Sequence, residues 1–204
     1  MKIHFFEEYP TEENLEKTQK LQHPAILYMA ARSLQEFFSY REQLYKINPN
    51  IQAAYWPILE RSYWISPFSH PADLQKLLSE LEEADGEGFP VLFDLELPIL
   101  KPSLFFRHLR YVRKNKKLLR QLFYTAAQSG LSIATAEYPI ANRFVQNLLK
   151  RLGVSFPVSE VHHHRIVMYY SSIIRVPWLL NKVKKYIATE VKKPHRTLQV
   201  GLGT

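Results

Sequence analysis

Two carboxylates stand two residues apart at the end of an apolar run. The segment VLFDLELP (Val91–Pro98) places Asp94 and Glu96 in what reads as a buried β-strand. Alternate strand residues share a face, so the two acids point the same way, about 6.6 Å apart along the strand. A buried carboxylate must be paired, hydrogen-bonded or protonated. Such surroundings can give two neighbouring carboxyl groups different pKa values, so that one stays protonated at neutral pH. The pattern therefore predicts acid/base chemistry at Asp94 and Glu96.

The Glu-x-Pro sequence that ends this run also follows two other apolar runs. Glu8-Tyr9-Pro10 and Glu137-Tyr138-Pro139 each put a carboxylate two residues before a proline. Proline cannot donate to a β-ladder, so it ends strand pairing and marks the rim of a sheet. We therefore expect Glu8, Glu96 and Glu137 at one level and on one face, as a ring of acids.

Aromatic residues accompany these acids. Tyr55 and Trp56 end another apolar run just before Pro57, and Tyr138 follows Glu137. Tyr and Trp present a flat apolar face with a polar edge, onto which sugar rings stack. We predict that Glu8, Tyr55, Trp56 and Tyr138 bind substrate, although packing in the core is the alternative for each aromatic residue.

Alternating strands and helices must position these groups. The predicted strands are Lys2–Tyr9, Ala25–Ala31, Ile51–Trp56, Pro90–Leu97, Leu131–Tyr138, Arg165–Ser171 and Thr197–Gly201. The predicted helices between them are Thr11–Leu21, Ser33–Tyr45, Pro71–Ala84, Ser103–Ala127, Asn142–Leu152 and Pro177–Val191. A helix after every strand is the pattern of a parallel sheet, and strands that are apolar on both faces agree with it.

The repeated unit favours a (β/α)8-type TIM barrel. No G-x-G-x-x-G follows the first strand, which argues against a dinucleotide-binding sheet. The chain stops after the seventh strand, so the barrel is expected to lack its last strand–helix unit, either open or truncated. We predict a single (β/α)-barrel domain over residues 1–204, with Ser62–Ser69 as the segment where an element is hardest to assign.

Two motifs resemble chitinase-like glycoside hydrolases. DLELP (Asp94–Pro98) is similar to the end of that family's fourth strand, and MYYS (Met168–Ser171) to its sixth-strand motif. The resemblance implies Glu96 as the general acid, Asp94 as the residue that orients the substrate N-acetyl group, and Tyr170 as its support. The chain differs from the family where Leu92 and Ser171 replace aspartates, so the resemblance implies a barrel of that superfamily with or without its activity.

Alternative chemistries remain open from the sequence. If Glu96 needs a second carboxylate, Glu137 on the next strand is the candidate, with Glu8 as the other option. A divalent ion held by Glu8, Asp94, Glu96 and Glu137 would instead give an isomerase- or aldolase-type barrel. The run His162–His164 precedes a strand, far from the acids, and adjacent strand residues cannot all bind one ion. We predict no cofactor and no metal site.

The amino-acid composition bears on the cellular location of the protein and on its binding partners. The chain has no Cys and no apolar run long enough to span a membrane, and its start turns acidic, so we expect a cytoplasmic protein without secretory export. Residues 1–100 contain 8 Lys/Arg and 16 Asp/Glu, whereas residues 101–204 contain 19 and 3. A non-catalytic barrel that binds an anionic partner weakly through the basic half is therefore a further alternative. The favoured prediction is a glycoside-hydrolase-like barrel that binds or cleaves a carbohydrate, or another small polar substrate; the oligomeric state stays open.

Overall fold

The computed structural model describes residues 3–84, 86–95, 109–137, 143–154, 160–170, 177–191 and 198–203. The strands are β1 (Ile3–Glu7), β2 (Ala25–Ala31), β3 (Ile51–Pro57), β4 (Pro90–Asp94), β5 (Ser132–Glu137), β6 (His164–Tyr170) and β7 (Leu198–Gly203). The α-helices are α1 (Glu12–Glu16), α2 (Leu34–Ile47), α3 (Pro71–Glu83), α4 (Val112–Gln128), α5 (Arg143–Leu152) and α6 (Pro177–Val191). Short 3₁₀ turns at Lys17–Lys20 and Leu109–Tyr111 extend α1 and precede α4.

Local chemistry explains where the best-defined helices begin. Thr11 and Ser33 lie just before α1 and α2, and each side-chain oxygen accepts a hydrogen bond from a backbone N–H in the first turn. The His70 side chain does the same for α3, which opens with Pro71 at a position where no N–H is required. These caps fix the lengths of the loops that leave β1, β2 and β3.

The seven strands form one parallel sheet in the order β1-β2-β3-β4-β5-β6-β7. Each strand therefore pairs with its neighbour in sequence, and a helix or loop crossover separates every pair. The sheet is curled, as in half of a barrel. Among the described residues no pairing joins β7 to β1. The predicted α/β class and parallel order are confirmed, whereas the structure does not establish a closed barrel.

The sheet has two apolar faces with different partners. The helix-facing face, with Met29, Tyr55 and Phe93, packs against α2, α3 and α4 in the main core. The opposite, inner face carries a smaller buried cluster, which consists of Ile26, Tyr28, Ala54, Leu92, Ala134, Ala136 and Ile166. Because strand residues alternate, odd and even positions along β4 and β5 belong to opposite faces. This alternation decides which polar side chains can meet.

One polar residue connects the helix layer to the loops. Asn115 on α4 is fully buried, and its Nδ2 donates to the carbonyl oxygens of Pro67 (2.9 Å) and Ser69 (2.7 Å). Both carbonyls belong to the β3–α3 loop, residues 58–70. Through these two buried hydrogen bonds Asn115 fixes the position of this loop relative to the helices. No further strand forms at Ser62–Ser69; the residues there make two isolated bridges, Leu59 with Tyr63 and Ile65 with Leu95.

Candidate functional site

The inner face carries a carboxylate at the carboxyl end of β4. Asp94 is 6% exposed and, like Leu92 two residues earlier, points to the inner face. Phe93 and Leu95 point to the helices and belong to the main core. The backbone carbonyl of Asp94 accepts a hydrogen bond from Ile65 N (3.1 Å), which brings the β3–α3 loop alongside this strand end.

Tyr63 reaches from that loop toward the end of β1. Its hydroxyl donates to Glu8 Oε1 over 2.5 Å, and its φ of 67° lies in the left-handed region that non-glycine residues seldom adopt. Reciprocal backbone hydrogen bonds of 2.9 Å with Leu59 hold this conformation. Backbone strain of this kind persists only where the surrounding structure enforces it, and it concentrates at functional sites.

The electrostatic surroundings keep the Tyr63 hydroxyl protonated. Burial raises the pKa of Tyr63 well above its ordinary value, and its hydrogen bond with Glu8 and the negative charges of Glu8 and Asp94 raise it further. Tyr63 is therefore a neutral hydrogen-bond donor beside two carboxylates. Asp94, Glu8 and Tyr63 form one polar group on the inner side of the strand ends, which we call the inner-rim cluster.

Trp56 adds an apolar wall to the inner-rim cluster. Its ring makes edge contacts with Phe6 (6.2 Å between centroids) and Tyr63 (6.5 Å). The buried indole Nε1 has no hydrogen-bond partner among the described residues. A buried N–H that lacks a partner calls for a ligand or water oxygen, because such groups are almost always satisfied. Trp56 thus combines a flat aromatic ring with an N–H donor.

A cleft of about 640 Å³ opens beside the cluster between the first three strand-to-helix loops. Glu8, Tyr9 and Tyr63 form one wall, and Arg32 and Tyr40 lie on the α2 side. The Glu36 carboxylate already accepts hydrogen bonds from the Tyr40 hydroxyl (2.9 Å) and from the Arg32 backbone N–H (2.6 Å). A cleft of this size, lined by hydroxyls, carboxylates and arginines, fits a polar small molecule.

The prediction for Glu137 was wrong in its orientation. Glu137 is 6% exposed, but it lies on the helix-facing side with Thr135, opposite to Asp94. Arg165 Nη2 and Nε donate to its Oε2 at 2.5 and 3.0 Å. The physical reason is register: Asp94 pairs with Ala136, so Glu137 extends one residue further and points to the other face.

Arg165 and a tyrosine of α6 complete this second polar group. Burial lowers the pKa of Arg165, but the charge of Glu137 and hydrogen bonds with Glu137 and Tyr186 outweigh it, so the pKa is raised. His163 lies nearby with its Nδ1–H donated to the Val161 carbonyl (2.8 Å), and burial lowers its pKa. This group neutralises a buried charge between β5, β6 and α6 and takes no part in the inner-rim cluster.

Tyr55 also differs from its predicted position. Its ring, 1% exposed, packs with Phe37 and Phe89 on the helix-facing side, and its hydroxyl donates to Glu80 Oε2 (3.2 Å). Tyr55 therefore lines a separate cleft of about 220 Å³ between β3 and α3. Burial raises the pKa of Glu80, and the hydrogen bond from Tyr55 and the charge of Lys76 offset part of that rise.

Three other predicted site residues have no described side chains. Glu96 and Tyr138 lie outside the described residues, and Tyr170 is known as the last residue of β6. The structure therefore brings together Asp94, Glu8 and Trp56 and separates them from Tyr55 and Glu137. The sequence places Tyr63 among the aromatic residues at this rim, between Trp56 and Trp64, but it did not identify Tyr63 as a site residue.

No set of ligands for a metal ion forms within the described residues. The four-carboxylate set predicted for a divalent ion would need Glu137 beside Asp94, and these two face opposite sides of the sheet. In the same part of the chain, no helix is long and apolar enough to cross a membrane.

Comparison with known proteins addresses the fold. No protein-family model matches the sequence, and no curated protein gives a significant match. The glycoside hydrolase domain of PgaB (BpsB) from Bordetella bronchiseptica superposes with a TM-score of 0.53 at 12% identity, covering 93% of this chain and 80% of that one. The chain has a TIM-barrel-like α/β fold. A xylose isomerase domain protein from Planctomyces limnophilus agrees, with a TM-score of 0.51, 12% identity and coverage of 90% and 70%. At such identities the TIM-barrel-like similarity concerns the fold alone.

Proposed function

We propose that this protein is a glycoside-hydrolase-like barrel that binds a carbohydrate at its inner-rim cluster. The observation that carries the proposal is the convergence of Asp94, the Glu8–Tyr63 pair and Trp56 at the carboxyl ends of the strands. The Trp56 indole N–H has no hydrogen-bond partner among the described residues. In TIM-barrel-like folds this end holds the chemistry. A carbohydrate suits the cluster because its ring stacks on an aromatic face while its hydroxyls bind carboxylates and an indole N–H.

The proposed reaction is acid/base cleavage of a glycosidic bond. Glu96 protonates the leaving glycosidic oxygen while the carbonyl oxygen of the substrate N-acetyl group, which Asp94 orients, attacks the anomeric carbon. Water then opens the cyclic intermediate and gives a proton back to Glu96. Glu137 is not part of this scheme, since Arg165 already holds it on the other face. The glycoside hydrolase domain that shares the fold supports the reaction class, and the absence of cysteine agrees with a cytoplasmic enzyme.

A panel of 4-nitrophenyl glycosides, with and without N-acetyl groups, tests the proposal. Glu96→Gln and Asp94→Asn each keep side-chain shape, so we expect either to reduce the rate of nitrophenol release by about 10²–10⁴-fold. The matched control is Glu82→Gln, which alters an exposed acid on α3 and should leave the rate unchanged. If Glu96→Gln retains the full rate measured for the unmodified protein, the catalytic assignment is wrong.

A further inference from the structure

A second surface of the molecule carries uncompensated positive charge. Helix α4 contains five Lys/Arg residues and no acid, and four of them, Arg113, Lys114, Lys117 and Arg120, are exposed. Residues 113 and 117 lie one turn apart, so their side chains leave the same side of the helix. Sequence spacing thus gives a continuous basic stripe along the solvent side of α4.

Helix α5 adds further basic residues beside this stripe. Lys116 Nζ donates to the Arg151 carbonyl (2.5 Å), and a methyl group added at Gly153 would lie 3.0 Å from Lys116 Cγ. The end of α5 therefore packs against the first turns of α4. Lys150 and Arg151 are exposed there, so both helices present their charges on one surface. We call Arg113, Lys114, Lys117, Lys150 and Arg151 the α4–α5 basic face.

Few acids compensate this charge. Arg120 on α4 forms an ion pair with Glu160 (3.7 Å), and the described residues show no ion pair for the five members of the basic face. Five cations held together on packed helices repel one another, which costs free energy unless an anion binds. The charge therefore complements a ligand with several negative groups in a row.

The residues around these cations favour an anionic polymer over a membrane as the partner of the basic face. The apolar stripe of α4, which includes Leu119, Leu122 and Phe123, is buried against the sheet, so it cannot enter a lipid layer. Tyr124 is 45% exposed and lies one turn beyond Arg120 on the same side of α4. An exposed aromatic ring in line with cations fits a nucleic acid, whose bases stack while its phosphates meet the cations.

We propose that the α4–α5 basic face binds single-stranded nucleic acid through its phosphate backbone. Five phosphate contacts release counterions, so the logarithm of the binding constant should fall with that of the salt concentration at a slope of about −3.5. Between 50 and 200 mM salt the affinity should thus fall about 100-fold.

Fluorescence anisotropy with a fluorescein-labelled 20-nucleotide oligo(dT) measures this binding. Lys114→Ala/Lys117→Ala removes two contacts and should bring the slope to about −2.1, with roughly tenfold weaker binding at 50 mM salt. Lys150→Ala/Arg151→Ala on α5 should have a similar effect, which protects the test against misfolding of one variant. Tyr124→Ala should weaken binding about tenfold while the slope stays unchanged.

The matched control is Lys20→Ala/Lys46→Ala, an equal change of charge at exposed positions in the acidic half. If it weakens binding as much as the α4 variant, the effect is net charge and the proposed face is wrong. Absence of oligonucleotide binding at 50 mM salt overturns the proposal, as does binding to phosphatidylserine vesicles in its place.

Discussion

At the scale of single residues, Tyr63 is the least expected member of the candidate site. A tyrosine in the left-handed region stores about 1 kcal/mol or more of strain, which Leu59 and the short hydrogen bond with Glu8 must offset. Its ring also supports Trp56, so the conformation shapes the wall on which a ligand would stack. Tyr63 is therefore a positioning residue for the inner-rim cluster.

Tyr63→Phe tests this role. The loss of a partly exposed hydrogen bond to a carboxylate should cost about 1 kcal/mol and lower Tm by about 2–4 °C, while affinity for the preferred glycoside falls. Tyr45→Phe, at an exposed tyrosine of α2, serves as control and should change neither quantity. Equal Tm and equal affinity for the two variants would contradict the assigned role.

The face of Glu137 shows why part of the site could not be predicted. Around it the strand reads Ala134, Thr135, Ala136, and these small residues give no apolar contrast between the two faces. A one-residue difference in register then decides on which face of the sheet Glu137 lies. Register is a property of two paired strands, so a single strand sequence does not reveal it. A signal for its true partner was present, because Arg165 lies inside an apolar strand and must be neutralised.

At the scale of secondary-structure elements, the Glu137–Arg165 pair joins β5 to β6, and Tyr186 brings in α6. The two charges are 6% and 14% exposed. Such pairs contribute little relative to well-packed apolar residues, but loss of one partner leaves an isolated buried charge. Substitution of either partner should therefore destabilise the packing of β5, β6 and α6.

Arg165→Met should destabilise the protein by about 3–5 kcal/mol, because Glu137 keeps its buried charge without a cation to neutralise it. The double variant Arg165→Met/Glu137→Leu should recover most of that loss. Urea unfolding followed by circular dichroism measures both variants. A double variant that is no more stable than Arg165→Met would show that the pair does more than neutralise charge.

The elements themselves were largely predictable. Within the described residues, all seven strands and six helical segments occur where the sequence places them, because apolar runs and helix caps are local signals. The predicted helix Ser103–Ala127 is α-helical from Val112, and its first residues, 103–108, lie outside the described residues. The β3–α3 loop was not predictable in detail. Its shape depends on Asn115, Asp94 and Glu8, all distant in sequence.

At the scale of the whole molecule, a buried histidine links stability to pH. Burial lowers the pKa of His163 below 6.5, with Arg165 and His162 acting in the same direction and Glu137 against it. Well above pH 6.5 the ring is neutral in both folded and unfolded chains. As the pH falls, the unfolded chain takes up the proton first, so stability decreases toward the folded pKa.

We therefore expect Tm to fall between pH 7 and pH 5 by less in His163→Asn than in the unmodified protein. The asparagine amide can still donate to the Val161 carbonyl but does not titrate. Because burial also lowers the pKa of His164, part of the pH dependence should remain. His23→Asn, at an exposed histidine, is the control; if it flattens the profile as much, His163 is not the cause.

The strictly sequential strand order has a consequence for synthesis. Each strand from β2 onward pairs with the strand made just before it, so no pairing has to wait for a distant part of the chain. As the chain leaves the ribosome, amino-terminal units fold first. The sheet can therefore grow one strand at a time, and the acidic cleft between the first three units can form before the basic helices are translated.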